Sequence, residues 1–223
     1  MHNNLSNLIE IQSNIKKKIN FLNINKYDPK IIAVSKTFNK DDILPLLDFG
    51  HLDFGENKVQ EAQLKWPELK KKYLNVGLHL LGKLQTNKVK IAVELFDYIH
   101  SLDNLKLANK LSNEINKNNK NTKLFIQINL GDEIQKSGIP PNELESFYKS
   151  CKLLRLNIIG TMCIPPQSKD PKIYFNQILK LNKKIGLKEL SMGMTNDYLD
   201  ALEYNSSFLR IGSGIFGPRS KKF

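Results

Sequence analysis

Cysteine is almost missing from this chain of 223 residues: Cys151 and Cys163 are the only two, too few for a disulfide framework and without metal-ligand spacing. Both read as reduced packing residues. Long hydrophobic runs are missing too, since nothing approaches the ~18 apolar residues of a spanning helix, and Met1 to Asn14 lacks the basic and apolar blocks of a signal peptide. These absences predict a cytoplasmic protein with no membrane partner. Arginine is scarce: of 34 basic residues only Arg155, Arg210 and Arg219 are arginine. The net charge of +12 alone points toward nucleic acid, whose phosphates attract basic patches. The lysines, however, are scattered along helical stretches with no aromatic platform between them, so the reading is no nucleic acid. Asparagine-rich tracts such as 113–121 (NEINKNNKN) fit compositional drift on solvated faces.

What is present is enough apolar residue, 40%, for one sizeable core, and the length does not force two domains, so residues 1–223 are read as one. Leu5, Leu8, Ile11, Ile15, Ile19 and Leu22 recur at helical spacing and predict an amphipathic helix over 5–22. A strand of Ile31 to Val34 follows, then a short helix capped by Asn39 or Asp41, a strand within 51–55 and a helix over 56–73 that Pro67 is expected to kink. Further strands are predicted at 77–81, 96–101, 123–130, 156–162, 188–191 and 207–211, with helices near 84–94, 103–117, 141–152, 170–185 and 195–204. Eight strands alternating with helices, several apolar on both faces, predict a parallel sheet covered by helices. The expected fold class is α/β, a single-domain (β/α)8 TIM barrel with an extra N-terminal helix; an open doubly wound sheet has the same rhythm. Little chain is left after the eighth strand, so the first helix is expected to help cover it.

Barrels of this kind gather their chemistry where the strands end. The first strand ends in Ser35-Lys36-Thr37, and a lysine there can be partly desolvated, lowering its pKa from ~10.4 and freeing the amine to attack a carbonyl. Its plainer role is to mark the strand's exit into solvent. Ser191 to Thr195 and Gly212 to Gly214 bring small residues and hydroxyls after strands seven and eight, where barrels commonly hold a phosphate; ordinary tight turns use the same residues. Arg210 sits inside Phe208-Leu209-Arg210-Ile211, and a buried guanidinium requires a partner, either a protein carboxylate or a ligand acceptor.

Several longer segments, taken together, have a known counterpart: Ala33 to Thr37 (AVSKT), Phe54 to Glu61 (FGENKVQE), His79 to Lys88 (HLLGKLQTNK), Ser191 to Thr195 (SMGMT) and Arg210 to Gly217 (RIGSGIFG). In this order, and over nearly the whole chain, they resemble the pyridoxal phosphate homeostasis proteins, the YggS/PROSC family. Glu133, Lys136 and Gly138, and Met162 with Pro165, agree with the same pattern. The resemblance implies a barrel similar to the N-terminal domain of alanine racemase, holding pyridoxal 5'-phosphate (PLP) as a Schiff base on Lys36. It implies that Thr195, Gly212 and Ser213 hold the phosphate, that Arg210 meets the pyridine nitrogen and that Asn57 lies near the ring substituents. Ser191 belongs to the same cofactor-binding set. The family usually has serine where Thr195 stands, and Lys58 replaces a commonly arginine or tyrosine position.

An arginine at the ring nitrogen donates a hydrogen bond but does not readily protonate it, so the ring is a weaker electron sink than one paired with a carboxylate. The expected role is therefore storage and delivery of PLP in intracellular homeostasis. The alternative is a small PLP-dependent racemase or lyase acting on amino acids, which needs a second acid-base group that the resembling enzymes draw from a further β-rich domain; the short segment after Arg210 leaves no room for one. His79 reads as a proton shuttle or as a hydrogen-bonding group in the barrel mouth, and His51 and Asp53 read as structural. Expected partners are PLP, other B6 vitamers and, in transient contact, PLP-dependent apo-enzymes; the expected state is a monomer.

Overall fold

The computed structural model describes residues 3–24, 26–131, 137–166 and 169–218. Helix α1 (Asn3–Phe21) turns Leu8, Ile11 and Ile15 inward and its lysines outward, as the spacing predicts. Then strand and helix alternate: β1 (Lys30–Val34), α2 (Lys40–Asp48), β2 (Asp53–Glu56), α3 (Val59–Lys72), β3 (Gly77–Leu80), α4 (Val89–Leu95), β4 (Tyr98–Leu102) and α5 (Leu105–Lys117). The second half repeats the pattern with β5 (Lys123–Gln127), α6 (Leu144–Leu153), β6 (Ile158–Met162), α7 (Pro171–Lys184), β7 (Glu189–Met194), α8 (Tyr198–Leu202), β8 (Phe208–Ile211) and α9 (Ser213–Phe216).

Each strand pairs in parallel with the next, and β8 pairs with β1 through Ile31 opposite Leu209 and Ala33 opposite Ile211. That last pairing closes the sheet and excludes the open doubly wound alternative. Hydrophobic burial is split into two layers, as closure requires. The larger lies between sheet and helices and includes Phe54, Trp66, Leu78 and Phe175. The smaller, of Ile32, Val34, Tyr98, Phe125, Met162 and Phe208, fills the barrel's inside.

Helix α1 does cover the last strand's side. It packs on α9, α2 and α8. Asn7 donates to the Ile215 carbonyl at 2.9 Å, and Lys18 pairs with Glu203 at 2.6 Å. Asn39 caps α2, its backbone N–H donating to Asp42 Oδ2 at 3.0 Å. Where sequence and structure differ, the ends differ. Helix α3 runs through Pro67 without a break, the predicted helix over 84–94 is divided into a 3-10 turn (Thr86–Lys88) and α4, and β7 extends past Ser191 to Met194. Among the described residues no helix is long and apolar enough to cross a membrane, and no cluster of three or more metal-ligating side chains occurs.

Candidate functional site

Val34 is the last residue of β1, and the chain then turns sharply. Ser35 is fully buried, its N–H donating to the Gly55 carbonyl at 2.9 Å and its hydroxyl to Glu56 Oε1 at 2.8 Å. Lys36 is half-buried and faces a cavity at the C-terminal mouth of the barrel. Thr37 follows with φ of 69°, a left-handed conformation that a β-branched residue adopts only under constraint.

That constraint comes from α3. The buried Lys65 ammonium donates to the Ser35 carbonyl at 2.9 Å and the Phe38 carbonyl at 3.2 Å, and pairs with Glu56 at 2.7 Å and Glu61 at 2.9 Å. Glu61 also accepts the Thr37 N–H. Glu56 Oε1 takes a further bond from Trp66 Nε1 at 3.0 Å, while Oε2 is buried without a partner. Burial pushes the Glu56 carboxyl above its usual range, against the downward pull of Lys65, Trp66 and Ser35. The turn that presents Lys36 is thus bonded on both sides to a buried ion-pair network.

The opposite wall comes from β7 and β8. Thr195 Oγ1 accepts from the Gly214 N–H at 3.1 Å and lies 3.3 Å from Ser213 Oγ, joining the two loops that were expected to hold a phosphate. Gly214 keeps that approach open, since a Cβ there would sit 3.0 Å from Thr195 Cγ2, and Gly193, with φ of +87°, lets β7 lie close on α8, where a Cβ would sit 2.7 Å from Ala201 Cβ. Phe38 stacks on Phe216 with ring centroids 5.0 Å apart, joining the first loop to the last.

Arg210 is 5% exposed. Its Nη1 donates to Ser191 Oγ at 2.8 Å and its Nη2 to the Cys163 carbonyl at 2.8 Å. Neither partner is a carboxylate. Burial lowers the guanidinium pKa, with nearby Cys163 and Asp197 acting the other way. Burial also pushes the Cys163 thiol up to about 12, as it does that of Cys151, so both remain neutral packing groups.

The cavity these elements enclose measures about 740 Å³. Lys36, Asn57, Thr195, Arg210, Gly212 and Ser213 all line it, so six of the seven residues expected to bind a cofactor converge on one space. Ser191 does not reach it; it lies fully buried beneath, bonded to Arg210. Met162 and Pro165 also line the cavity, Lys58 is exposed at the start of α3, and Glu133 and Lys136 lie outside the described residues. A second cavity, of about 670 Å³, opens at the opposite mouth among Lys30, Tyr98, Lys123 and Phe208, and none of the expected site residues line it.

Asn57 is held by a close backbone approach. A Cβ on Gly82 would lie 2.2 Å from the Asn57 carbonyl oxygen and 2.9 Å from its carbon. Gly82→Ala is therefore expected to displace Asn57 and cost about 2–3 kcal/mol. A urea midpoint unchanged from wild type would show that the loop yields freely.

Two groups escaped the sequence reading. Lys65 is one: it is eight parts in a hundred exposed, yet in the sequence it is one lysine of a charged helix, with only Glu61 four residues before it as a signal. His100 is the other. It stands in the fully buried β4, and its Nε2 lies 3.0 Å from His79 Nδ1, while His79 Nε2 lies 3.0 Å from Asp53 Oδ1. His79 accordingly sits inside the barrel and not at its ligand-facing mouth. Burial lowers the pKa of both histidines below the ordinary 6.5. The unfolded chain then binds protons that the native state does not. Stability is full above ~6.5 and falls as pH drops from there toward the folded values, by up to ~1.4 kcal/mol per pH unit for each histidine. Urea midpoints at pH 7.5 and 5.5 check this, and equal midpoints would refute it.

Residues 6–220 match the family model described as the N-terminal domain of alanine racemase. A pyridoxal phosphate homeostasis protein of Pasteurella multocida is 35% identical over 224 residues, covering 96% of each chain. The chain belongs to the pyridoxal phosphate homeostasis protein family. Within solved structures, PipY of Synechococcus elongatus with PLP bound is 31% identical with a TM-score of 0.80, covering 91% of this chain and all of that one. Alanine racemase of Clostridium difficile 630 shares the fold at 15% identity and a TM-score of 0.73, and this chain spans 58% of it. Each of the five segments that carry the resemblance contributes at least one residue to the cavity's lining, and Ile164, Lys169 and Asp197 line it from outside them.

Proposed function

We propose that this protein binds pyridoxal 5'-phosphate in the C-terminal cavity, with Lys36 as its covalent anchor, and serves PLP homeostasis by storage and delivery. The observation that carries this is the convergence of Lys36, Arg210 and the Thr195–Ser213 loops on one cavity. The names of the homologues and the PLP-bound PipY structure support the same ligand.

The residues present fit the group. Lys36, Lys169 and Arg210 outnumber Asp197 among the charged residues lining the cavity, which suits a phosphate dianion. Gly212 and Ser213 open the first turn of α9, and the Thr195 hydroxyl lies beside them, so backbone N–H groups and two hydroxyls are available as phosphate donors. Arg210, pinned through Nη1 and Nη2, offers donors and no acceptor to a ring nitrogen. When bound, PLP supplies an aldehyde that an amine can hold covalently and a ring that withdraws electrons. Among the described lining residues there is neither a tyrosine nor a histidine to exchange protons opposite Lys36, which favours holding the cofactor over turning over amino acids.

The proposal includes a single barrel domain, a cytoplasmic monomer, and transient contact with apo-enzymes that take PLP or with other B6 vitamers. Its test is transfer: cofactor from the loaded protein is expected to activate a PLP-dependent apo-enzyme at a rate distinct from an equal concentration of free PLP. Failure of the protein to take up PLP at all would overturn the proposal.

A further inference from the structure

Five side chains inside the barrel form one line of hydrogen bonds from mouth to mouth. Asp53 Oδ1 is 3.0 Å from His79 Nε2, His79 Nδ1 is 3.0 Å from His100 Nε2, His100 Nδ1 is 2.8 Å from Ser191 Oγ, and Ser191 Oγ is 2.8 Å from Arg210 Nη1. His79, His100 and Ser191 are all fully buried. The two rings are held in orientation by stacking, His79 on Tyr98 at 4.2 Å and His100 on Phe125 at 4.3 Å between centroids.

Valence settles where every proton sits. A guanidinium only donates, so Ser191 Oγ accepts from Arg210. A carboxylate only accepts, so His79 donates from Nε2 to Asp53. A neutral imidazole has one N–H, which leaves His79 Nδ1 to accept from His100 Nε2, and leaves His100 Nδ1 to accept the Ser191 hydroxyl proton. Reasoning from the two ends meets without conflict. The reverse direction needs an extra proton on His79 and leaves the buried Ser191 hydroxyl proton with no acceptor. The surroundings of His79 oppose that proton through burial and the nearby Lys30, against the pull of Asp53 and Asp97, and at His100 burial and Arg210 act in the same direction.

We infer that Asp53, His79, His100 and Ser191 are positioning residues for Arg210, a one-directional line in which both imidazoles are neutral Nε2–H tautomers. The line fixes the guanidinium from beneath. Together with the Cys163 carbonyl it sets the plane in which the remaining donors face the cavity. The partner of Arg210 in the line is neutral, and the carboxylate that acts on Arg210 is that of nearby Asp197, while Asp53 lies beside Lys30 at the far mouth. Ser191 thus serves the site without touching its ligand. Only the last step, from a fixed guanidinium to retention of PLP, rests on the function proposed above.

The line itself is tested without any cofactor, by long-range 1H–15N spectra of the imidazoles of the 15N-labelled protein from pH 5.5 to 8.5. Both rings are expected to show a pyridine-like Nδ1 and a pyrrole-like Nε2 throughout; an Nδ1–H tautomer or an imidazolium at either position would overturn the inference. Asp53→Asn keeps the shape but lets the amide donate, so His100, two links away, is expected to show mixed tautomers. A single unchanged tautomer at His100 would mean that the links are independent. If Asp53→Asn fails to fold, Ser191→Ala removes one oxygen at the other end and is expected to shift the Arg210 Nη signals. In PLP-loaded protein, Ser191→Ala should release cofactor roughly tenfold faster, and Ser191→Thr should restore retention. Unchanged release with the tautomers as expected would refute the positioning role, whereas wild type that takes up no PLP refutes the proposed function and leaves the tautomer result standing.

Discussion

Lys36→Ala is expected to abolish the borohydride-fixed adduct with pyridoxal 5'-phosphate and its near-visible absorption, while leaving the barrel folded. The side chain is half-buried at a strand exit and not packed in the core, so the change in stability should stay within ~1 kcal/mol. The phosphate loops and Arg210 are untouched by the substitution. Residual, non-covalent binding should therefore persist, weaker by roughly a hundredfold, or ~3 kcal/mol. Equilibrium dialysis measures that remainder, and borohydride reduction followed by mass measurement reads the adduct. An adduct still formed in the alanine variant would mean that another lysine is the anchor.

Lys65→Met is expected to be the most destabilising single change at the site. It strands the fully buried Glu56 carboxylate, one of whose oxygens already lacks a partner, and removes the donor from the Ser35 and Phe38 carbonyls. Breaking a buried pair from one side costs about 3–5 kcal/mol, or roughly 10 °C in melting temperature for a chain of this length. Adding Glu56→Gln removes the stranded charge and should recover a measurable part of the loss. A thermal midpoint within ~2 °C of wild type would show that the network contributes little.

The barrel was legible because alternation of apolar runs with amphipathic helices reports a parallel sheet, and eight runs are the number that closes. The cavity-lining residues were legible for a related reason: in a closed barrel every strand exit points at one space, so Lys36, Asn57, Thr195, Arg210, Gly212 and Ser213 meet without being near in sequence. Depth was harder to read. Ser191 looked like the start of a loop, but β7 continues to Met194 with a register shift against β8, which leaves the serine inside the barrel. Arg210 was correctly judged to need a partner, and its hydrogen-bond partners are a hydroxyl and a carbonyl, with the Asp197 carboxylate acting on it from nearby. Lys65 and His100 were illegible because their importance is set by neighbours on other elements, which spacing along one helix or strand does not encode.

The pairing of β1 with β8 joins the earliest strand of the chain to the latest. Ribosomes deliver these strands in order, so a nascent chain carries Lys36 long before Arg210, Gly212 and Ser213 exist to complete the cavity. Until β8 arrives, β1 and β7 are unpaired edges, open to association with other chains. The helix that leads the chain then packs beside the segment that follows β8, so the seam is sealed by its two most distant parts. The cavity is for this reason an attribute of finished molecules only: its two walls meet when β8 pairs with β1.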